Sequence, residues 1–339
     1  MRGAFGLLLS LTCVSFAGAA APTAKKVLFF TKSSGFEHSA IKRIAGNPSF
    51  AMQVLKELGA KHRIEFTESK DGSLFTPEYL AQFDAFLFYT SGDLTLAKND
   101  EKQGDGNPPM TAAGKAAFLQ AIRDGKGFVG THSASDTFHP PGNKGHGPAR
   151  NQDDGDKLDD YTRMIGASFI KHDAQQKARQ IIGSPKFPGI AALPAGFGPH
   201  EEWYSLKNFA SDLHVILAQD TSSMDGPSYK RPPYPSTWAR MHGKGRVFYT
   251  SMGHREDVWS SPEFQAVLMG GLDWALRRVD AEITPNLARV TPEARVLPVY
   301  VEPPPPKKKA ARVPRPKRRS KSAPALLSAR SRRAFFLYP

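Results

Sequence analysis

Short apolar segments alternate with amphipathic helical segments along this chain, and this alternation constrains its fold more than any other feature. Buried-strand patterns are predicted at residues 27–30, 62–66, 86–89, 127–130, 176–182, 214–219, 236–241 and 246–251. Helical patterns are predicted at about 39–58, from 76, at 111–122 and at 261–276. Strands that alternate with helices form a parallel sheet with helices on both faces. The sequence therefore predicts an α/β domain, which we place at residues 25–280.

The N-terminal residues have the order of a secretory signal. Arg2 is followed by an apolar run over residues 5–16 and then by the small residues Ala17-Gly18-Ala19. This order is typical of a signal peptide, which we place at residues 1–21, and the run is too short to span a bilayer. We therefore expect a periplasmic or secreted mature protein. The single cysteine of the chain, Cys13, lies in this segment, which excludes a disulfide framework and a cysteine-based zinc site.

The positive charge of the chain is concentrated at its C-terminal end. The formal net charge is +14, but residues 303–339 hold 12 of the 46 Lys and Arg residues and none of the 32 acidic residues. We predict an extended linker at 281–302 and a disordered Pro/Lys/Arg-rich tail at 303–339. Such a tail suits anionic envelope polymers or lipid head groups. The nearly neutral body argues against a nucleic-acid partner, although a polyanion binder that uses only the tail is an alternative.

Three histidines follow the ends of predicted strands. His38 comes after the first strand, His132 after the strand at 127–130, and His254 after the strand at 246–251. The carboxyl ends of parallel strands meet at one edge of the sheet, where ligands bind in open α/β folds. Glu202 lies in Glu201-Glu202-Trp203-Tyr204, which has the pattern of a strand with alternating faces. One carboxylate of this pair is then expected to face the site and the other to face solvent.

The sharpest local motif is Gly130-Thr131-His132-Ser133-Ala134, which has the outline of a strand-to-helix elbow. In hydrolases such an elbow exposes a serine or cysteine nucleophile. Histidine at this position is more typical of a metal ligand or an acid–base group. A Ser133 nucleophile activated by its neighbour is disfavoured, because adjacent residues on a tight turn point apart.

Several motifs occur in the order found in a known family. They are Ser34-Gly35-Phe36-Glu37-His38, Gly127 to Ala134 with Asp136, Phe169-Ile170-Lys171-His172, Glu201 to Tyr204, Trp238-Ala239-Arg240 and Phe248 to His254. With them the chain resembles the ThuA-like, trehalose-utilisation family over roughly residues 26–279. The resemblance implies the class I glutamine-amidotransferase-like fold, a flavodoxin-like three-layer arrangement with a parallel sheet. It also implies a role in sugar catabolism, on an oxidised (keto-)disaccharide or a related sugar.

The chain departs from this family at its basic tail and in a longer loop at about 140–160, so the identity of the sugar is not implied. The amidotransferases carry a cysteine at the elbow, whereas His132 stands there in this chain. Glutaminase activity is therefore not implied. We interpret the chain as an enzyme, a hydrolase or isomerase of sugar derivatives.

The catalytic candidates are His132, Glu202 and His254. With His38 they form a nitrogen and oxygen ligand set suited to zinc or a similar divalent metal. Without a metal, Glu202 and a histidine would move protons between adjacent sugar carbons. No nucleotide or flavin is expected. The candidate substrate contacts are Phe36, Asp136, Trp203 and Tyr204.

The aromatic residues leave an alternative function open. Trp203 and Tyr204 are either core residues or a platform on which a sugar ring stacks. If they form a platform together with Trp259, a non-catalytic carbohydrate-binding envelope protein would explain the sequence as well as an enzyme does. Bound metal would separate the two functions, because the metal-assisted enzyme uses it and the carbohydrate-binding protein does not.

The N-terminal segment generates a direct test. We expect export to remove about 19–21 residues, since the charged start, the apolar run and the small residues are in the order that signal peptidase recognises. N-terminal sequencing of the mature protein measures this. A Leu8→Lys, Leu9→Lys variant interrupts the apolar run and should stay uncleaved. A mature wild-type chain that begins at Met1, or that fractionates only with the cytosol, would contradict the prediction.

Overall fold

A sheet of eight strands lies at the centre of the described chain. The computed structural model describes residues 23–98, 104–139 and 147–302, so the predicted signal peptide and the predicted tail lie outside the described residues. The strands are β1 (Lys25–Phe30), β2 (Ile64–Ser69), β3 (Ala85–Phe88), β4 (Gly127–Thr131), β5 (Ser168–Lys171), β6 (Gln176–Lys177), β7 (Gln180–Ile182), β8 (His200–Glu201), β9 (Ser205–Lys207), β10 (His214–Gln219), β11 (Tyr234–His242) and β12 (Gly245–Thr250). The α-helices are α1 (Phe50–His62), α2 (Pro77–Ala81), α3 (Ala112–Arg123), α4 (Asp160–Ile165), α5 (Glu256–Trp259), α6 (Pro262–Ala275) and α7 (Leu287–Val290).

The strand order of the large sheet is β2-β1-β3-β4-β12-β11-β10-β7. The first five strands of this order run parallel, and their order along the chain is that of a flavodoxin-like fold. The strands β11, β10 and β7 extend the sheet with antiparallel neighbours. Two small antiparallel sheets, β5–β9 and β6–β8, lie outside it. The predicted flavodoxin-like α/β class is confirmed.

The strand β1 shows how the sheet is buried on both faces. Val27 and Phe29 belong to a core cluster with residues of α1, α5 and α6. Leu28 and Phe30, which point to the opposite face, belong to a second cluster with residues of α2, α3 and α4. A parallel strand covered on both faces needs apolar residues at every position, which explains the continuous apolar run in the sequence. None of the helices that the structure describes is long and apolar enough to cross a membrane.

Two predicted elements differ from the observed ones. The first long helix begins at Phe50, and only a single 3-10 turn, Ser39–Ile41, occupies the start of the predicted helix. Ser49 caps this helix, since its Oγ accepts a hydrogen bond from the Met52 N–H at 3.2 Å. The strand predicted at 176–182 is two short strands, β6 and β7, which pair in different sheets.

The segment 281–302, predicted as an extended linker, packs against the sheet. It contains α7, and Leu287 is buried in the cluster of the α2–α3 face. The side-chain amide of Asn286 accepts from Val215 N at 2.6 Å and donates to Val215 O at 3.1 Å. This amide thus pairs with the backbone N–H and C=O groups of Val215, at a position of β10 that β7 does not reach. An additional strand would make the same hydrogen bonds there. The guanidinium of the buried Arg231 donates to Ala294 O at 2.6 Å and holds the end of the segment.

The packing of α6 on β12 gives a stability test. A Cβ added at Gly271 would lie 2.5 Å from the Phe248 ring, which is buried. Gly271→Ala should therefore lower the free energy of unfolding by about 1–3 kcal/mol, despite the higher helix propensity of alanine. Chemical denaturation measures this. Gly147→Ala is the control, because no atom of the described residues lies within 4 Å of a Cβ there. Equal stability of the two variants would show that the ring yields to the added methyl group.

Candidate functional site

Three histidines and one glutamate meet at the carboxyl edge of the parallel strands. His38 follows β1, His132 follows β4, His254 follows β12, and Glu202 directly follows β8. One ligand atom from each residue lies within 4.8 Å of the ligand atoms of the other three. The structure thus brings together the four residues proposed from the sequence as a ligand set. We call them the histidine cluster.

His132 occupies the elbow in a left-handed backbone conformation. Its φ is +42°, directly after β4 and at the start of the 3-10 turn His132–Asp136. Non-glycine residues rarely adopt this conformation, and residues held in it are concentrated at functional sites. The turn is held by Tyr249, whose hydroxyl donates to His132 O at 2.7 Å. The elbow predicted from the sequence therefore exists, and its histidine faces the cluster.

The protonation of His132 follows from its neighbours. Its Nδ1 lies 3.1 Å from Ser251 O, and because a carbonyl only accepts hydrogen bonds, Nδ1 carries the proton. The lone pair of Nε2 then points towards Glu202 Oε2 at 3.4 Å and His254 Nδ1 at 3.3 Å. Burial lowers the pKa of His132, although Glu202, which would accept a hydrogen bond from a protonated Nε2, acts in the opposite direction. His132 is therefore a neutral imidazole with a fixed tautomer.

Glu202 is the charged member of the cluster. Burial opposes its ionisation, but His132 and His254, which hydrogen bond to this carboxylate when the facing nitrogen is protonated, outweigh burial and hold its pKa well below the usual range. Its Oε2 lies 3.2 Å from His254 Nδ1. Burial also opposes protonation of His254, but the hydrogen bond and charge of Glu202 raise the pKa of this histidine. Burial, together with the charges of the two other histidines, lowers the pKa of His38 well below its ordinary value.

Glu201 fixes the positions of two cluster members. Its Oε1 accepts from the N–H groups of Gly253 and His254, and its Oε2 accepts from the N–H of Glu202 at 2.9 Å. The expectation that one carboxylate of the pair faces solvent is wrong, because Glu201 is completely buried. Burial raises the pKa of Glu201 to about 7, although the three N–H donors act in the opposite direction. The sequence showed only two adjacent acids and did not indicate which loop the inner one would bind.

Side-chain exposure shows where the cluster opens. His132 is fully buried and His38 is 3% exposed, whereas the side chains of Glu202 and His254 are 12% and 17% exposed. A ligand therefore reaches the cluster from the side of Glu202 and His254. Phe36 is 58% exposed, and its ring packs edge-on against His38 with centroids 5.0 Å apart. Of the predicted substrate contacts, Phe36 is the one that presents an open aromatic surface.

Two tryptophans proposed as stacking surfaces lie in the core. Trp203 is fully buried, and its Nε1 donates to Gln176 O at 3.0 Å. Trp259 is also fully buried, and its Nε1 donates to Gly253 O at 2.8 Å. Neither indole has a free face for a sugar, so the prediction that Trp203 contacts substrate is wrong. Tyr204 is buried as well and packs on His132 with ring centroids 4.2 Å apart, as a wall of the cluster.

Asp136 is engaged by groups of the loop that follows it. Its carboxylate is hydrogen bonded to His139 Nε2 and accepts from Arg150 Nη1 at 3.2 Å. Burial opposes ionisation of Asp136, but the charges and hydrogen bonds of His139 and Arg150 outweigh burial and lower its pKa to about 2. The charge of Asp136 also acts on His38. As a candidate substrate contact, Asp136 therefore has protein partners already, although its side chain is 20% exposed.

The cluster fits a divalent cation. Three imidazole nitrogens and one carboxylate oxygen are a donor set found around zinc and similar ions. The Ser251 carbonyl accepts a hydrogen bond from His132 Nδ1 and so orients the ring. Metal-bound histidines in proteins are commonly oriented by such a hydrogen bond to a carbonyl or carboxylate. A neutral His132 directs its Nε2 lone pair at the Glu202 anion, and this repulsion is relieved by a cation or by a proton on His254. The Gln175 amide, which lies 3.0 Å from His254 Nε2, favours such a proton at Nδ1 when no cation is bound.

A cavity of about 650 Å³ lies away from this edge. Lys25, Leu80, Lys126 and Lys244 are among its lining residues, and none of the histidine cluster lines it. Its walls come from the amino ends of the strands and from α2 and α3. In open α/β sheets the carboxyl ends carry the ligand site. We therefore assign the candidate site to the histidine cluster and not to this cavity.

The chain was compared with known families and structures. The ThuA family model, described as trehalose utilisation, matches residues 26–275. A ThuA-like protein from Bacteroides uniformis is 18% identical, with a TM-score of 0.53, covering 77% of this chain and 95% of its own. A second ThuA-like protein, from Parabacteroides merdae, is 16% identical, with a TM-score of 0.49, covering 82% and 98% of the two chains. No curated protein matched.

The two kinds of comparison answer different questions. At such low identity, the structural similarity to the B. uniformis protein supports the fold alone. The family model covers most of the chain, including all four members of the histidine cluster. This chain therefore belongs to the ThuA family, which is involved in trehalose utilisation.

Proposed function

We propose that this protein is an enzyme of sugar metabolism that uses the histidine cluster, with a bound divalent cation, to act on a keto-disaccharide or a related sugar. The observation that carries the proposal is the convergence of His38, His132, Glu202 and His254 within 4.8 Å. Membership of a trehalose-utilisation family supports the substrate class. The reaction class that suits this site is hydrolysis or isomerisation of a sugar derivative.

The residues of the chain have separate tasks in this proposal. A bound divalent cation would polarise a carbonyl or hydroxyl oxygen of the sugar. Ser251 keeps the proton of His132 on Nδ1, so that Nε2 stays available. When no cation occupies these atoms, Glu202 remains ionised, and with His254 it forms a pair that can take up or release a proton at Oε2 and Nδ1. Glu201 holds both residues of this pair through their backbone N–H groups.

Access to the site also suits a sugar. The apolar face of a pyranose ring packs on aromatic side chains, and Phe36 offers such a surface beside His38. Glu202 and His254, the more exposed cluster members, face the same approach and offer hydrogen-bonding partners for hydroxyl groups. Glutaminase chemistry does not fit, because the elbow carries His132 and Cys13 lies outside the family-matched region.

The non-catalytic alternative loses much of its support. A carbohydrate-binding protein would use Trp203 and Trp259 as stacking surfaces, and both are in the core. Phe36 alone is a small platform.

We further propose that the mature protein works outside the cytoplasm and that its basic tail binds anionic envelope components. The order of the first 21 residues and the charge of residues 303–339 support this location.

The role of His132 is tested by replacement with glutamine. His132→Gln keeps a similar size and a hydrogen-bonding group, but it removes the imidazole nitrogen directed at Glu202. We expect bound zinc, or turnover of a keto-disaccharide, to fall on the order of 100-fold, which corresponds to about 2.7 kcal/mol. The melting temperature should stay close to that of the wild type. Metal content is measured by atomic emission and activity with a sugar panel.

A matched control comes from a histidine outside the cluster. His200 is exposed and lies in β8 next to Glu201, so His200→Gln makes the same chemical change without touching a cluster ligand. This variant should keep the metal content and activity of the wild type. Full metal content and activity in His132→Gln, or losses explained by unfolding, would show that His132 has a structural role.

A further inference from the structure

His172 lies beside the histidine cluster without belonging to it. It directly follows β5, and its Nδ1 is 3.4 Å from Glu202 Oε1 and 3.0 Å from Asp173 O. Glu202 therefore uses its two oxygens differently: Oε2 faces His132 and His254, and Oε1 faces His172. His172 is the last residue of the Phe169-Ile170-Lys171-His172 motif, one of the motifs that the chain has in common with its family.

The neighbours of His172 determine which nitrogen carries its proton. A carboxylate and a carbonyl both accept hydrogen bonds, so Nδ1, which faces both, is protonated. In this tautomer the lone pair is on Nε2, which has no hydrogen-bond partner among the residues that the structure describes. The ring plane is held by stacking on Tyr204, with centroids 5.9 Å apart and an interplanar angle of 14°. The nitrogen that can accept a hydrogen bond therefore has a defined direction.

Exposure separates His172 from a structural histidine. Its side chain is 39% exposed, compared with 17% for His254 and 12% for Glu202. His214 shows the structural pattern: it is buried, its Nδ1 lies 2.8 Å from Thr284 O, and its Nε2 lies 2.8 Å from Ser184 Oγ. In His172 one nitrogen is bound by the protein and the other is left for solvent or a ligand. Of the two side chains in this contact, His172 is the more exposed to solvent.

We propose that His172 contacts the substrate directly and that its Nε2 accepts a hydrogen bond from a hydroxyl group of a sugar bound over Glu202. The inference rests on the proposed function and adds a specificity-determining residue to it. The ligand class is a polyhydroxylated molecule with a hydroxyl group close to the oxygen held at the cluster. A ligand that lacks this hydroxyl leaves Nε2 without its partner and loses affinity.

Two amide substitutions separate contact with a ligand from an effect on Glu202. In His172→Asn the side-chain N–H group takes the place of Nδ1–H, so the contacts to Glu202 and Asp173 are kept and the acceptor is lost. In His172→Gln the longer side chain places its oxygen near the former Nε2, so the acceptor is kept. His172→Phe keeps the stacking on Tyr204 and removes both nitrogens.

The experiment uses full-length zinc-loaded protein and measures three quantities for each variant. These are trehalose affinity by calorimetric titration, with maltose and sucrose as further probes, bound zinc, and melting temperature. We expect the Asn and Phe variants to bind the sugar about 10-fold more weakly and the Gln variant to stay within about 3-fold of the wild type. Bound zinc should be unchanged in all three, because His172 is not a cluster ligand.

Other outcomes overturn the inference in distinguishable ways. Weak binding by the Gln variant with normal binding by the Asn variant would mean that His172 acts only through Glu202. Loss of zinc in all variants would place His172 in the metal centre. Normal sugar binding in all variants would show that His172 does not contact the sugar, and the proposed function would be unaffected. If the wild type binds zinc but neither the three sugars nor a keto-disaccharide, the sugar substrate class itself fails, and the contact to His172 with it.

Discussion

The buried carboxylate of Glu201 is the interaction on which the geometry of the site depends. It accepts hydrogen bonds from three backbone N–H groups, two in the loop after β12 and one at Glu202. Burying a carboxyl group is costly unless its oxygens are satisfied, and here the backbone satisfies both of them. A neutral amide side chain has only one oxygen and could not accept at both positions. Glu201 thus joins a small sheet to the large one at the point where the cluster forms.

The cluster combines contributions of two kinds. The parallel sheet delivers His38, His132 and His254, because β1, β4 and β12 all end at one edge. Glu202 directly follows β8, which pairs with β6 outside this sheet. The charge that the three histidines face is therefore supplied by a separate part of the chain. The ionised group therefore stands outside the strands of the large sheet.

Much of this arrangement is predictable from the sequence, and the rest fails for identifiable reasons. The apolar runs mark β1, β3 and β4, and the residues after them include two of the cluster histidines. The inward-facing role of Glu201 and the burial of Trp203 depend on what packs against β8, which no local pattern contains. The segment 281–302 has neither helical nor strand periodicity, so its packing on β10 through Asn286 was not predictable from periodicity.

The attachment of Asn286 to Val215 also bears on where the folded part of this protein ends. The family match ends at residue 275, but the peptide group of Val215 in β10 finds its partner eleven residues beyond that boundary. A fragment cut at the family boundary would expose an unpaired stretch of sheet edge and leave Arg231 without the Ala294 carbonyl. The compact unit of this chain is therefore longer than the segment that matches the family model, and residues up to 301 belong to it.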